Sequence, residues 1–390
     1  MKRVLTAVFV VCLATMGWPS AVAAPHATWA RWLRLVPAGS DVGPNGTVVV
    51  EGSTTDSYPG GHLVLRGIRP NGSLAWASRW RPSEGGARAG DVAVTSSGIF
   101  SAGVLAPVSA PDACWEIGSF GWFVRKADAS GHTVWVRRDP RWDDCGSRAS
   151  HAVGAGAGLV AVATTLYIEG YSDIHGDIRA WTAGGSPRWT NRFEPLPRGK
   201  PEGYDADDVL ALDVGPDGTT YAAGWAWRAP YHEYGNDAEA ALMAIGPNGA
   251  RQWVRIDGEP GRPSVQDDDR GSDVDARGRR VLYGAVMDRE TGPSVARVML
   301  LDRDATVRWK AAFPMAKGWR AGLLVALGAP GTSFVAYRAV GGGVVVRRLG
   351  GGGVTTWRMT IRRTAPLIGL SLEDRGLYVL HGRHLTRFAV

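Results

Sequence analysis

The chain has few cysteines, few lysines and no long apolar run after the one at its N-terminus. The scarcity of each argues against a class of protein. Only three of the 390 residues are cysteine, and none stands in a Cys-x-x-Cys or cysteine–histidine spacing, so the sequence does not indicate a zinc site. Only five of the 44 basic residues are lysine, and no basic run exceeds three residues. We therefore predict no nucleic-acid partner and read the net charge of +7 as a mixed, solvated surface, with attraction to anionic cell-surface polymers as the alternative.

Catalytic signatures are missing too. The sequence has no His-Glu-x-x-His, no Gly-x-Ser-x-Gly, no phosphate-binding loop and no EF-hand loop. Hydrophobic residues make up 45 % and charged residues 21 %, which is typical of a folded soluble protein. With 53 glycines and 23 prolines, turns must be frequent, and 17 tryptophans are an excess that needs a structural reason.

The N-terminus reads as a targeting segment. Lys2 and Arg3 precede an apolar run over residues 4–16, and Ala21-Val22-Ala23 is a small-x-small cleavage signal. The run is too short to span a bilayer comfortably, and no later stretch approaches eighteen apolar residues. We predict a signal peptide over residues 1–23 and a mature chain 24–390 that is secreted or periplasmic, without a membrane span.

Export changes the interpretation of the cysteines. Cleavage removes Cys12 and leaves Cys114 and Cys145. Two cysteines in an oxidising compartment are most simply one disulfide, and two free buried thiols are the alternative.

One sequence unit occurs in six copies, and each copy has two pairs of strands, with a glycine in the turn of each pair. It consists of an apolar strand, a glycine turn, a strand ending in glycine, an insertion, a third strand, a second glycine turn and a strand carrying tryptophan. The clearest copy has its turns at Pro216-Asp217-Gly218 and Pro247-Asn248-Gly249. Asn-Gly and Asp-Gly turns predict tight antiparallel hairpins. The tryptophans follow one another at intervals of 59, 54, 64, 56 and 48 residues, as Trp76, Trp135, Trp189, Trp253, Trp309 and Trp357.

Each unit therefore predicts a four-stranded antiparallel meander, with strands A to D in chain order. Such units are typical of β-propeller blades. Only three strands are predicted after Trp357, and residues 28–33 resemble an unpaired strand D. Pairing these two ends closes the ring and leaves no exposed sheet edge. The sequence thus predicts one all-β domain, a propeller of seven blades with eight as the alternative, in which the strand-D tryptophans pack between neighbouring blades.

Two phrases of the fourth unit carry a family resemblance. Residues 211–224 (ALDVGPDGTTYAAG) resemble the SBBP-type bacterial β-propeller repeat, and residues 241–253 (ALMAIGPNGARQW) are similar to the tryptophan-docking repeat of PQQ-like propellers. In quinone-dependent dehydrogenases of that kind a vicinal cysteine pair sits against the cofactor, and this chain has no adjacent cysteines. The resemblance therefore implies a secreted or envelope propeller used for binding or scaffolding, without a PQQ site.

The predicted insertions share one face of the ring. In a meander the B–C and D–A connections lie at one end of the strands, and the A–B and C–D turns lie at the other. The B–C insertions are predicted at residues 53–61, 104–121, 164–177, 225–237 and 285–293, and the D–A insertions at residues 81–89, 139–150, 193–207 and 257–271. This long-loop face is the predicted binding face, because loops on rigid scaffolds often carry function. Neutral drift in tolerant loops is the alternative.

Aromatic and acidic groups on this face are the candidate site residues. The candidate ligand-binding residues are Trp225, Trp227, Tyr231, Tyr234, Trp115 and Trp122, with aromatic packing between the loops as the alternative. The candidate Ca²⁺ ligands lie in D–A connections close to the predicted central channel, and solvated turn residues are the alternative; they are Asp205, Asp207, Asp208, Asp267, Asp268 and Asp269. Asp173, His175 and Asp177 alternate as metal ligands do, but we interpret them as loop residues.

From these features we expect a non-catalytic binding or scaffold module that presents the long-loop face to a protein or a cell-surface glycan. We expect a monomer without a cofactor, with Ca²⁺ binding as the alternative. One alternative is a hydrolase or lyase acting on polysaccharide, with acid and base residues among Asp207, Asp208, Asp268 and Asp269. Another is a purely structural envelope protein.

Overall fold

The structure is a computed structural model. It describes residues 25–54, 61–83, 85–107, 121–139, 147–167, 173–195, 205–227, 238–257, 272–287, 292–316, 322–362, 365–373 and 376–390. Within these ranges the chain forms 28 β-strands, and no helix is long and apolar enough to cross a membrane.

The first four blades follow one another along the chain. Blade 1 consists of β2 (Val36–Val42), β3 (Val48–Ser53), β4 (Leu63–Ile68) and β5 (Leu74–Trp80). Blade 2 consists of β6 (Gly85–Thr95), β7 (Gly98–Pro107), β8 (Gly121–Ala127) and β9 (Thr133–Asp139). Blade 3 consists of β10 (Ser147–Gly156), β11 (Leu159–Tyr167), β12 (Asp173–Thr182) and β13 (Pro187–Phe193). Blade 4 consists of β14 (Asp205–Val214), β15 (Thr220–Trp227), β16 (Ala238–Ile245) and β17 (Arg251–Asp257).

The last three blades complete the ring. Blade 5 consists of β18 (Ser272–Arg277), β19 (Arg280–Met287), β20 (Ser294–Asp302) and β21 (Val307–Met315). Blade 6 consists of β22 (Leu323–Leu327), β23 (Ser333–Arg338), β24 (Val344–Leu349) and β25 (Thr355–Ile361). Blade 7 consists of β26 (Leu367–Glu373), β27 (Gly376–His381), β28 (His384–Ala389) and, from the other end of the chain, β1 (Ala27–Trp32).

The seven-bladed propeller is confirmed. Within every blade neighbouring strands pair antiparallel, and each strand A contacts the strand A of both adjacent blades around the whole circle. The predicted closure is confirmed as well, because β1 pairs antiparallel with β28 and Trp32 lies opposite His384. An N-terminal strand thus completes a sheet made by the C-terminal residues and removes an exposed edge.

Burial follows the position of a strand in its blade. Strand β3, inside blade 1, is buried along its whole length, because the neighbouring blades cover both faces of the sheet. Strand β5, the outer strand of the same blade, has no buried residue. This gradient explains why strands B read as continuous apolar runs and strands D read as mixed sequences.

The strand-D tryptophans join neighbouring blades, as predicted. The indole of Trp29 donates to the carbonyl of Pro70 at 2.7 Å, and that of Trp135 donates to the carbonyl of Ala183 at 3.1 Å, each in the C–D turn of the next blade. A Cβ added at Gly249 would lie 2.8 Å from Trp189, so glycine is needed there for close approach of the ring. These three blades are therefore fastened at their outer edges to the C–D turn of the following blade.

Aspartates make the corresponding links at the inner edge. Asp41 accepts hydrogen bonds from its neighbour Val42 and from Val94 of the next blade, both at 2.7 Å. The same link is made by Asp91 to Val153, Asp213 to Ala276, Asp273 to Val325 and Asp275 to Leu327. The five carboxylates therefore hold inner strands of successive blades together by accepting backbone N–H groups around the central channel.

The hydrophobic core is divided into layers between blades. The layer between blades 4 and 5 is one continuous cluster that includes Leu242 and Tyr283. The layer between blades 1 and 2 consists of two separate clusters. One contains Val49 and Ile99, and the other contains Leu105 and Phe123. Side chains that separate these two clusters are polar and almost completely buried; they are Glu51, Ser101 and Arg125.

Candidate functional site

Connection lengths differ sharply between the two faces of the ring. Every A–B and C–D turn contains at most five residues. The connections of seven residues or more all belong to the B–C and D–A classes; they are residues 54–62, 108–120, 140–146, 194–204, 228–237, 258–271 and 316–322. The structure therefore has a short-turn face and a long-loop face, as the sequence predicts.

Several strands extend further into the predicted insertions than expected. The third B–C insertion was predicted over 164–177, but β11 continues to Tyr167 and β12 begins at Asp173. Asp173, His175 and Asp177 therefore belong to a strand, and the interpretation as loop residues is wrong. The ends of such long strands are hard to predict from the sequence, because only one face of the strand is apolar there and the alternating pattern is weak.

The predicted aromatic site is only partly described. Trp225 is half-buried near the end of β15, where it lies opposite Asp208, and Trp227 is the last residue of that strand. Tyr231, Tyr234 and Trp115 lie outside the described residues. Their role in binding stays a prediction.

Trp122 occupies a different environment from the one predicted. It is 3 % exposed, its ring centroid lies 5.7 Å from that of Trp181, and the Arg179 guanidinium lies 5.1 Å from its ring. These contacts place it in the core layer between blades 2 and 3. The aromatic-packing alternative therefore describes Trp122, because a partner cannot reach a side chain so deeply buried.

A parallel strand pair brings together two of the predicted polar groups. The start of β14 pairs with the start of β12, so that Asp205 lies opposite Asp173 and Asp207 opposite His175. This pairing joins blades 3 and 4 into one eight-stranded sheet. No hairpin signal could have predicted it, because the two strands lie in different blades and are separated by the whole of β13.

The acidic cluster at the start of β14 is mostly enclosed. Asp207 and Asp208 are each 5 % exposed and belong to the inner strand rather than to the connection before it. Asp267, Asp268 and Asp269 lie outside the described residues, and so do Cys114 and Cys145. Among the side chains that the structure describes, no group of three or more histidine, cysteine or acidic residues is arranged to hold a metal ion. Ca²⁺ binding and the disulfide both stay predictions.

Buried carboxylates strengthen the blade interfaces beneath the long-loop face. Asp139 lies 3.6 Å from Arg179 of the next blade, and Asp257 lies 3.3 Å from Lys310 of the next blade. Both carboxylates are less than one-tenth exposed, but Lys310 is 53 % exposed and Arg179 only 22 %, so water screens the Asp139–Arg179 pair less than the Asp257–Lys310 pair. The strand ends that carry the long connections are therefore held in a fixed arrangement.

An exposed aromatic group at the blade 7 seam was missed by the sequence analysis. Trp32 is 55 % exposed, and its ring makes an edge-on contact with His384 at 4.6 Å between centroids. The B–C turn of blade 7 contains only residues 382–383, so this connection extends little beyond the ends of its strands. The sequence offered one signal for this group. Trp29 and Trp32 lie in the same strand, and only Trp29 stands at the position of the docking tryptophans, which leaves Trp32 without a docking role.

The channel side of the blades carries several buried carboxyl groups. Burial raises the pKa of Asp41 to about 6, that of Asp91 to about 7 and that of Asp213 to about 8, despite their backbone hydrogen bonds. Asp275, Asp41 and Asp213 together hold the pKa of Arg277 above its ordinary value. Arg277 donates to Asp275 at 3.3 Å and approaches the Leu372 carbonyl of blade 7 at 3.4 Å. One guanidinium thus reaches across the channel from blade 5.

Comparison with known proteins supports the fold alone. No protein-family model and no curated protein matches the chain, so the resemblance to SBBP and PQQ-like repeats stays a prediction. The WD40 domain of Toxoplasma gondii coronin is similar at a TM-score of 0.52 and 9 % identity, over 95 % of this chain and 88 % of that chain. A catalytically inactive virginiamycin B lyase from Staphylococcus aureus, crystallised with quinupristin, is similar at a TM-score of 0.51 and 12 % identity, over 93 % of this chain and 99 % of that chain.

Proposed function

We propose that the protein is exported and acts as a non-catalytic binding module that holds a protein partner on its long-loop face. The observation that carries this proposal is the distribution of connection lengths. All turns of the opposite face contain at most five residues, whereas the long-loop face carries connections such as 228–237 and 258–271. Loop lengthening costs little free energy at either end of a blade, so random insertion would have lengthened both faces.

The scaffold beneath these loops suits the role. Asp139 and Asp257 hold neighbouring blades together just below the face, and Trp32 offers an exposed aromatic contact at its rim. Tryptophan is among the residues that contribute most to protein interfaces. Long connections leave several blades on the same face, which suits the broad interface of a protein partner better than the smaller footprint of a glycan.

A variant-controlled capture experiment tests the proposal. The mature chain 24–390 would be used as bait against envelope and medium fractions of the producing cells. A variant with Trp227, Tyr231 and Tyr234 changed to Ala should lose the captured protein. The matched control changes Val134 and Val354 to Ala. Val134 is 57 % exposed at the start of β9, Val354 is 70 % exposed in the C–D turn of blade 6, and both lie towards the opposite face.

The control should retain the partner. Equal capture by all three baits, or capture of a glycan in place of a protein, would contradict the proposal. A variant in which only Trp32 is changed to Ala separates a contact at the blade 7 seam from one in the blade 4 connection.

Export is tested separately. The mass of the protein recovered outside the cytoplasm should correspond to a chain beginning at Ala24 and to two fewer hydrogens than the reduced form, as expected for a Cys114–Cys145 disulfide. Retention of residues 1–23 would overturn the predicted cleavage. Two thiols that react with an alkylating reagent without prior reduction would overturn the disulfide.

A further inference from the structure

Four arginine side chains meet at the outer part of the interface between blades 7 and 1, and we call them the arginine cluster. They are Arg31 in β1, Arg34 in the connection from β1 to β2, Arg66 in β4 and Arg79 in β5. Burial, and then repulsion from the other three, lowers the pKa of Arg66 below its ordinary value. The four positive charges therefore lie within reach of one another. Arg34 and Arg79 are exposed, so a ligand can approach the cluster from solvent.

The strand register explains why the cluster spans two blades. Arg79 lies opposite Val64, two residues before Arg66 on the same strand, so Arg66 and Arg79 are diagonal neighbours on one face of the sheet. Val64 packs against apolar side chains of blade 7, so this face of blade 1 is the one directed at blade 7. From blade 7, Arg31 crosses the seam and donates to the carbonyl of Gly72 at 2.7 Å.

Arg66 stands at a position that is arginine in three other blades. The position is the strand-C residue just before the one opposite the strand-D tryptophan; its equivalents are Arg125, Arg179 and Arg347. Each equivalent meets the side chain four residues after the strand-D tryptophan of the preceding blade; the contacts are Arg125 with the Trp80 ring at 5.8 Å, Arg347 with the Phe313 ring at 4.6 Å and Arg179 with Asp139 at 3.6 Å. In blade 7 that side chain is Leu33, which is neither acidic nor aromatic.

Blade 1 also lacks the hydrogen-bond acceptors that serve an equivalent arginine. Arg125 donates to the threonine hydroxyl two residues before its strand-D tryptophan and to the glycine carbonyl four residues before it. In blade 1 the threonine is replaced by Leu74, and the carbonyl of Gly72 is taken by Arg31. The Nε atom of Arg66 is closed to water and has no hydrogen-bond partner among the described residues. A guanidinium that elsewhere is paired is thus left without an acceptor here.

No carboxylate compensates the cluster. The segments 25–35, 61–83 and 381–390, which form the outer part of this seam, contain eight arginines and no Asp or Glu. Within the described part of the chain, none of the four arginines forms an ion pair. Residues 305–372 add ten basic residues and no acidic one, so positive charge continues onto blade 6. An uncompensated positive field of this kind attracts a polyanion.

We propose that the arginine cluster binds the phosphate groups of a phosphodiester-linked cell-surface polymer. Guanidinium groups bind phosphate through paired N–H donors and remain charged at any physiological pH. A tetrahedral phosphate presents acceptors in several directions, so arginines on the walls of two blades can reach it together, whereas the acceptors of a carboxylate lie in one plane. The ligand differs in kind from the protein partner proposed for the long-loop face.

The aromatic side chains at this seam argue against a nucleic acid as the polymer. Proteins that bind single-stranded nucleic acid usually stack the bases on free aromatic rings. Here Trp29 and Tyr378 pack on each other, with their ring centroids 6.0 Å apart, and the Trp29 indole donates to the carbonyl of Pro70. Recognition at the cluster therefore depends on charge and on guanidinium geometry.

Fluorescence polarisation with end-labelled poly(glycerol phosphate) tests the proposal. The mature protein should bind this polymer saturably, and the affinity should fall at least about tenfold between about 50 and 200 mM NaCl, because binding releases counterions. The double variant Arg66→Gln, Arg79→Gln should weaken binding at least about tenfold. Arg31 stays unchanged, since its hydrogen bond to Gly72 also links the two blades.

Two further double variants separate lost charge from an altered fold. Arg192→Gln, Arg308→Gln removes the same charge from outer strands in which each guanidinium already pairs with a carboxylate, and its affinity should stay within about twofold of the wild type. Arg66→Lys, Arg79→Lys keeps the charge and should bind the polymer more tightly than the glutamine pair.

Unlabelled poly(glycerol phosphate), polygalacturonate, duplex DNA and inorganic phosphate would serve as competitors. Unlabelled polymer should displace the probe at the lowest concentration of phosphate. The proposal is overturned if the polymer does not bind, if the Arg66→Gln, Arg79→Gln variant binds as tightly as the control, or if the lysine pair loses as much as the glutamine pair. Stronger competition by polygalacturonate, DNA or free phosphate would also overturn it. Capture on the long-loop face is measured with other variants, so either proposal can fail without the other.

Discussion

The interface between blades 1 and 2 and the interface between blades 4 and 5 are built from equivalent strands but from different chemistry. Leu65 of blade 1 lies opposite Glu51, and its counterpart Leu242 of blade 4 lies opposite Ala223. The apolar side chains of the second interface form one continuous cluster, although the buried Asp257 also pairs with Lys310 across this interface. The first is interrupted by a buried carboxyl group and a buried guanidinium, and it opens into a cavity.

The difference shows that a repeat can keep its backbone while one interface is given another role. Burial and the nearby Asp91 raise the pKa of Glu51 well above its usual range, although Ser101 and Arg125 lower it. Burying ionisable groups is rarely the most stabilising choice. We therefore expect the layer between blades 1 and 2 to contribute less to the free energy of unfolding than the other layers. Substitutions of matched residues in the two interfaces test this expectation.

The largest expected effect comes from truncating the matched leucines. Leu242→Ala should lower the free energy of unfolding by about 3–4 kcal/mol, because it leaves a cavity inside a continuous apolar layer. Leu65→Ala should cost only about 2 kcal/mol, since its cluster is small and adjoins an open cavity. Urea unfolding monitored by tryptophan fluorescence would measure both. Equal costs would show that the two layers are equally cohesive.

Removal of the buried guanidinium should have the next largest effect. Arg125 donates to the Thr133 hydroxyl and to the Gly131 carbonyl, both at 2.8 Å, and thereby supports the C–D turn of blade 2. Arg125→Met should destabilise the protein by about 2 kcal/mol, the scale of hydrogen bonds to a charged group. The control Arg66→Met, at the same strand position of blade 1 but half-buried, should cost less than about 1 kcal/mol. A larger loss for the control would refute this ranking.

The inner carboxylates should make stability depend on pH differently at the two interfaces. Asp41 links blades 1 and 2, and Asp213 links blades 4 and 5. Burial raises their pKa values from 3.8 to about 6 and about 8, so the unfolded chain releases protons that the folded chain keeps. Stability contributed by each group is complete below about pH 4 and is lost as pH rises through its folded pKa.

Asparagine substitutions would separate the two contributions. Asp41→Asn should flatten the decline in stability between about pH 4 and 6, whereas Asp213→Asn should flatten it up to about pH 8. Each variant also loses one backbone hydrogen bond, so the slope of stability against pH is the quantity to compare. Unchanged slopes would mean that neither aspartate retains its proton in the folded protein.

The smallest expected effect concerns one turn of blade 5. Ala305 has a φ of 68°, at the C–D turn position that is glycine in blade 4, where Gly249 has a φ of 86°. Ala305→Gly should stabilise the protein by about 0.5–1 kcal/mol, since glycine adopts this conformation without strain. Gly249→Ala should destabilise it, and by more, because the new Cβ would meet Trp189. A thermal unfolding shift in the opposite direction for either variant would contradict this account.

Much of the fold could be predicted from local signals. The Asn-Gly and Asp-Gly turns and the spaced tryptophans identify hairpins and their outer strands, because both depend on contacts close along the chain or on a repeating register. The face that carries the long connections follows from strand parity alone. Trp122 shows where such reasoning fails. A tryptophan beside a long insertion looks exposed in the sequence, but the neighbouring blade covers it.

The candidate sites depended more on tertiary structure. The pairing of Asp205 with Asp173 joins strands of different blades, and the exposure of Trp32 results from the short B–C turn contributed by the other end of the chain. A cavity of about 470 Å³ beside Trp76 is lined by turns of blades 1 and 2, which lie far apart in the sequence. None of these relations leaves a periodic signal in the sequence.

The sequence by itself determined the number of blades, the closure by the N-terminal strand and the docking role of the tryptophans, because each blade repeats the same local chemistry. Only the tertiary structure decided which interface has a continuous apolar cluster, which has a cluster divided by buried polar side chains, and where a cavity remains. A blade buries its faces against its neighbours, so the environment of Glu51, Trp76 or Asp213 depends on side chains roughly fifty residues away, beyond the reach of local pattern.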